Sequence, residues 1–212
     1  MSWCIMLLSA YGSGVMLVTF DGLNGSIPLS SFQETEDPVM GSESWGNWSL
    51  NTTERSGVLA GTVTIVDRPA VSIVGASPGF IKAAAGGSFR DISSAVKGSM
   101  MLVARVRGDV EYRGYRLSFA AKTEHPAYAC TGGGHVPFSR GCFKSKNFTI
   151  STSSSGQDFL TVKLPFSEFS DRWSPVTGDH THSCAEDTST CVTAEVTVMQ
   201  ILALIVILAL TI

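Results

Sequence analysis

The sequence predicts an all-β fold, a sandwich or a barrel, on three observations. Apolar and polar residues alternate with a period of two in the middle of the chain. Short apolar runs are separated by turns containing glycine, serine and proline. No sustained 3.6-residue apolar pattern appears before the last residues, so the alternating helices of a parallel α/β sheet are not expected. The 212 residues fit one domain of ordinary size or two small ones. With 44% hydrophobic and 16% charged residues the chain can build a core, which excludes an intrinsically disordered class. A net charge of −3 without a lysine- or arginine-rich block excludes a nucleic-acid partner held by phosphate neutralisation.

Residues 1–17 read as an apolar leader: Trp3–Leu8 and Val15–Phe20 are apolar, separated by Tyr11-Gly12-Ser13-Gly14. A signal peptide starts with positive charge and a mitochondrial presequence is arginine-rich, whereas the first basic residue here is Arg55. The plain reading is a frayed end that enters a first strand near Met16–Asp21, and residues 18–195 form the β domain. Strands follow at Val58–Val66 and Val71–Val74. In Ser99–Arg107, Met100, Leu102, Ala104 and Val106 form one apolar face. The other face becomes charged at Arg105 and Arg107, the mark of a strand buried on one side. Gly108-Asp109 supplies turn chemistry. A return strand at Tyr112–Ala121 puts Tyr115, Leu117, Phe119 and Ala121 inward, with Arg116 and Ser118 outward, so the two segments are expected to form a hairpin. Further strands are expected at Asn147–Thr152 and at Phe159–Leu164, where Leu160, Val162 and Leu164 alternate with Thr161 and Lys163 until Pro165 ends the ladder. Residues 196–212 carry no charge. Two readings stand for them: a final buried strand, or a membrane anchor, although 17 helical residues reach only about 26 Å of a roughly 30 Å hydrocarbon core.

Cys130 and Cys142, and Cys184 and Cys191, form two close pairs that leave Cys4 over. Local pairing would close two short loops in an oxidising space. Glycosylation sequons at Asn24, Asn47, Asn51 and Asn147 matter only on the secretory route. Together these features lean towards an oxidising compartment.

Gly75-Ala76-Ser77-Pro78-Gly79 is a literal G-x-S-x-G, but Pro78 has no N–H to give an oxyanion and the α/β context is missing, so it reads as a turn. His180, His182 and Cys184 would share one face of a strand and could hold zinc or copper. The plainer reading is a polar loop whose Cys184 is bonded to Cys191. Arg107-Gly108-Asp109 reads as a turn, not an adhesion motif. Thr131-Gly132-Gly133-Gly134-His135 lacks the lysine and helix of a phosphate-binding loop. Trp45, Trp48 and Trp173 lie in turn-like surroundings and are the candidates for stacking on a sugar or anchoring a protein partner, the alternative being that they cap the ends of the core. No catalytic constellation, resident cofactor or metal is expected.

Several strings resemble one known family. Asp37-Pro38-Val39-Met40-Gly41-Ser42 is similar to the D-x-V-M-G-G-x-S signature of the complex I intermediate-associated protein 30 family, with Ser42 in place of the second glycine. Asp91-Ile92-Ser93 through Val96-Lys97-Gly98, followed by Val103-Ala104-Arg105-Val106-Arg107-Gly108-Asp109, resembles its D-L-S…G-I…L-R-V-R-G-D stretch. Leu164-Pro165-Phe166-Ser167-Glu168-Phe169 resembles its L-P-F-x-x-F string. The resemblance runs from about Val18 to about Ile201. It implies a jelly-roll β-sandwich like the galactose-binding domains, with no recognised active site. It further implies a chaperone-like role for mitochondrial complex I, with partly assembled protein subunits as partners and the apolar tail as a possible membrane contact. The alternative is a carbohydrate- or ligand-binding jelly roll of the secretory pathway, anchored at a membrane.

Overall fold

A computed structural model describes residues 4–11, 15–18, 20, 32–36, 43–64, 80–86, 92, 95, 97–107, 114–121, 142–151, 158–174, 178–192 and 201–209. The fold is all-β. Among the described residues there are twelve strands, every ladder is antiparallel, and the helical elements are two short 3-10 turns at Phe166–Glu168 and Thr188–Thr190.

Numbered in chain order, one sheet of four runs β10 (Leu160–Pro165), β7 (Ser99–Arg105), β1 (Cys4–Tyr11), β2 (Val15–Val18). A sheet of six runs β11 (Phe169–Ser170), β9 (Cys142–Ser145), β8 (Tyr115–Ala121), β12 (Ile201–Ala209), β6 (Phe80–Gly86), β3 (Phe32–Glu36). A separate hairpin pairs β4 (Trp45–Asn51) with β5 (Ser56–Thr62). One apolar core takes side chains from all three sheets: Leu17 and Met100 from the first, Ile81 and Phe119 from the second, Leu59 from the third.

The alternating faces of β7, β8 and β10 appear as the sequence predicts. Met100, Leu102 and Ala104 are fully buried, as are Tyr115, Leu117 and Phe119. β10 pairs with β7 from Leu160 opposite Ala104 to Pro165 opposite Ser99, and the ladder stops at the proline.

The expected hairpin of β7 with β8 is overturned. The two strands lie in different sheets: β10 and β1 occupy the edges of β7, and β9 and β12 those of β8. Both present an apolar face to the shared core, and period-two alternation specifies that face without specifying the edge partner. Val58–Val66 corresponds to β5. The strand expected at Asn147–Thr152 is reduced to a single bridge between Phe148 and Tyr115. Val71–Val74, Gly75–Gly79, Gly108-Asp109, Thr131–Gly134 and His135 lie outside the described residues.

Both ends of the chain contribute strands to the sheets. Cys4–Tyr11 is a strand between β7 and β2, with Cys4 opposite Arg105 and Tyr11 opposite Ser99. The first expected strand shifts to Val15–Val18. Ile201–Ala209 is the long strand between β8 and β6. Among the described residues no helix is long and apolar enough to cross a membrane. A continuous apolar run fits an interior strand as well as a helix, and here each run has a neighbour on both edges.

The hairpin of β4 and β5 depends on glycine at its closest approach. A Cβ at Gly61 would stand 2.2 Å from the Trp45 carbonyl oxygen and 2.7 Å from Gly46 Cα, both backbone atoms that cannot swing away. Gly61→Ala is therefore expected to push the two strands apart and lower stability by about 1–3 kcal/mol, read as a lower urea midpoint. At the hairpin tip, Asn51 Oδ1 accepts the Glu54 N–H at 3.0 Å. The Glu54 carboxylate in turn pairs with the buried Arg105 of β7 and, more loosely, with Arg107 at 3.7 Å. Arg105 also lies over the Phe159 ring at 4.6 Å, so the tip is tied to the four-stranded sheet by charge and stacking together.

Candidate functional site

Alternation makes Arg116 and Ser118 the outward residues of β8, where a sheet with one free face would give them to solvent. Instead both are buried, Arg116 at 1% and Ser118 at 0% exposure. Residues 171–174 and 178–182 pack beside them. Trp173 Nε1 donates to the Cys142 carbonyl at 2.8 Å, and the His180 ring lies 2.6 Å through Nε2 from the Lys144 carbonyl. Each bond engages a carbonyl of β9. Trp173 and His180 also form a bridge with each other. Between them Ser174 N–H donates to the Asp179 carbonyl at 2.8 Å, and Gly178 N–H donates to the Ser174 carbonyl at 2.7 Å. Gly178 has φ +74, which glycine adopts without strain.

Beside these residues lies a group of charges. Arg116 Nη2 donates to Asp179 Oδ1 at 2.6 Å, with the arginine side chain 1% exposed and the carboxylate 50% exposed. Lys144 Nζ stands 3.4 Å from the centroid of the Trp173 ring, a close cation–π contact. Burial, then repulsion from Arg116 and from Lys82 of β6, depress the Lys144 amine from 10.5 to about 7, against a smaller opposing pull from Asp179. Burial likewise holds His180 below its usual value. Since Nε2 faces a carbonyl, the neutral ring carries its proton there. Its Nδ1 is buried with no hydrogen-bond partner among the described residues.

The chemistry available here is that of two desolvated cations, one of them poised to lose its proton at neutral pH. Arg116 and Lys144 escaped the sequence reading because an isolated basic residue in an alternating strand looks like a solvent-facing position. The signal present was weak: each is flanked by large apolar residues, Tyr115 and Leu117 around Arg116, and Phe143 before Lys144.

The expected sites fall as follows. Cys184 is bonded to Cys191, with the Cα atoms 4.7 Å apart, so that local pair forms as the spacing suggested. Cys142 is also disulfide-bonded, and Cys130 lies outside the described residues. The structure does not bring His180, His182 and Cys184 together as the sequence reading aligned them. The sulfur is occupied, the segment does not form the strand that would align the three, and His180 is turned onto Lys144. No group of three potential metal ligands occurs among the described residues. Of the three tryptophans, Trp173 covers Lys144 and Trp48 packs on Phe20 with ring centroids 5.8 Å apart, whereas Trp45 is 56% exposed. Asn47 and Asn147 are exposed, the Asn51 amide donates to Glu54 at 3.1 Å, and Asn24 lies outside the described residues. No family model, curated protein or solved structure matches this chain.

Proposed function

We propose that this chain is a non-catalytic, partner-binding jelly-roll sandwich of the galactose-binding type, and an assembly factor for mitochondrial complex I of the intermediate-associated protein 30 kind. The observation that carries the partner-binding part is the pair of exposed apolar side chains on β4, Trp45 at 56% and Leu50 at 38% exposure. An exposed tryptophan supplies an apolar anchor for another protein. A partly assembled subunit would be held there and released as its native contacts replace that anchor.

The family part rests on the sequence strings, and one of them has a structural use that supports it. Leu164 to Phe169 forms the corner by which the chain leaves the four-stranded sheet at β10 and enters the six-stranded sheet at β11. Its Phe166 and Phe169 are buried at that corner, with ring centroids 5.9 Å apart.

Affinity capture of the tagged chain from its own cells tests the proposal. The intact chain is expected to retain complex I subunits from subassemblies, and Trp45→Asp to lose them while melting within a degree or two of the parent. Capture of no complex I subunit, with normal complex I content after the gene is removed, would sink it.

A second reading, a ligand-binding module of the secretory pathway, is favoured by the Cys184–Cys191 bond and by exposed sequon residues Asn47 and Asn147. A mobility shift of the native protein after peptide-N-glycosidase treatment would select it over the mitochondrial one.

A further inference from the structure

We propose that His180 is an acid-operated latch, whose neutral ring holds residues 178–181 to β9 and whose protonation on Nδ1 releases them. The two ring nitrogens differ in their surroundings. Nε2 stands 2.6 Å from the Lys144 carbonyl, and a carbonyl only accepts, so this nitrogen carries the hydrogen. Nδ1 is left to take a second proton. It is buried and has no hydrogen-bond partner among the described residues. A proton arriving there would create a charge out of water with no acceptor to receive its N–H, which is costly.

The charges around the ring have one sign. Lys144 of β9, Lys146 just beyond that strand and Arg116 of β8 all repel a positive imidazole. On the ring's own segment the neighbouring acid, Asp179, accepts from Arg116 Nη2 at 2.6 Å, and His182 is exposed. In a falling titration Lys144 gains its proton near pH 7, ahead of His180, which titrates below 6.5. The repulsion is therefore complete before the ring is asked to charge, and a swing of the ring into water relieves both costs together.

The movable piece has definite bounds. Beyond it, the His182 carbonyl accepts Ser170 Oγ at 2.6 Å and Cys184 is bonded to Cys191. Within it, two bonds flank the bridge between Trp173 and His180: Ser174 N–H to the Asp179 carbonyl at 2.8 Å and Thr181 N–H to the Arg172 carbonyl at 2.9 Å. Both open when His180 leaves β9, and Lys144 loses the contacts that shield its ammonium.

Amide hydrogen exchange of the full-length chain at pH 7 and pH 5, corrected for intrinsic rates, tests this. Protection at Ser174 and Thr181 is expected to fall at least tenfold at pH 5. Leu117 N–H, which donates to Ser145 Oγ at 3.0 Å within the sheet, should keep its protection. His180→Gln retains an N–H for the Lys144 carbonyl and cannot titrate, so it should abolish the loss, whereas His182→Gln should leave it as in the parent. Unchanged protection at Ser174 and Thr181, an equal fall at Leu117, or the same fall in His180→Gln would each overturn the proposal. If the variant fails to fold, NMR titration of the unaltered protein decides: the loss must follow the His180 ring resonance, and a loss that follows the Lys144 amine instead would sink the latch.

Discussion

Phe119→Ala is expected to lower unfolding stability by about 3–5 kcal/mol, the range of a large aromatic deleted from a rigid core. Phe119 is 1% exposed and stands where the six-stranded sheet meets the corner from β10 to β11. Its ring centroid lies 5.4 Å from that of Phe143, 6.0 Å edge-on from Phe166 and 5.3 Å from Phe169. Those three rings come from two different strands and the 3-10 turn, so they cannot close together into the gap without moving their own backbone. The loss therefore combines transfer of apolar surface with an unfilled cavity and broken ring–ring contacts. Urea denaturation should show a lower midpoint with an unchanged slope. A midpoint within the range of an exposed substitution would mean that Phe119 does not join the sheets as described.

Lys144→Met is expected to reverse the sign of an ordinary charge deletion and to stabilise the protein at neutral pH. The sign follows from linkage. In the folded chain the Lys144 amine titrates near 7, and in the unfolded chain near 10.5. Between those values the unfolded chain binds more protons, so stability rises with pH across that window. Below about 7 both states are protonated and the full cost of the buried ammonium is present. The wild-type protein should therefore gain on the order of a few kcal/mol between the two ends of the window, and the variant should lose that gain. Methionine keeps the unbranched stem and places a polarizable sulfur against the Trp173 ring. His180 acts in the same direction at lower pH, because its folded form is also held neutral, so the comparison is made above its ordinary value of 6.5. Unfolding curves for both proteins from pH 7 to 10 provide the check. Parallel curves would show that Lys144 is hydrated in the folded state.

What the sequence made legible was the class of fold and the inward faces. Met100, Leu102 and Ala104, and Tyr115, Leu117 and Phe119, were readable because alternation is a local property of the chain. Their pairing was not, because a strand's neighbours depend on which edges other strands have already taken. Cys4–Tyr11 escaped, and Ile201–Ala209 stood only as one of two readings, for a related reason: strands with neighbours on both edges need not alternate, and an uninterrupted apolar run carries no period to read. β4 was missed because Gly46, Asn47 and Ser49 give it little strand character, and its place depends on glycines opposite it in β5. The charged group of Arg116, Lys144 and Asp179 was the least accessible. His180 stood out only as part of a supposed metal cluster, since nothing local says that Trp173, Asp179 and His180 pack against Arg116 and Lys144. The disulfide from Cys184 to Cys191 was readable because the two cysteines lie only seven positions apart.

The place of β12 bears on how the protein is made. β6 and β8 are joined in the sheet only through residues 201–209, the last of the described strands to leave the ribosome. During translation those two partners hold a vacant slot between them, with unpaired amides along both sides. Closing it requires contacts far apart along the chain, the kind that form slowly. The nascent polypeptide is thus most prone to capture by a foreign strand until residues 201–209 have emerged and paired, and a holdase acting on it would be needed up to that moment.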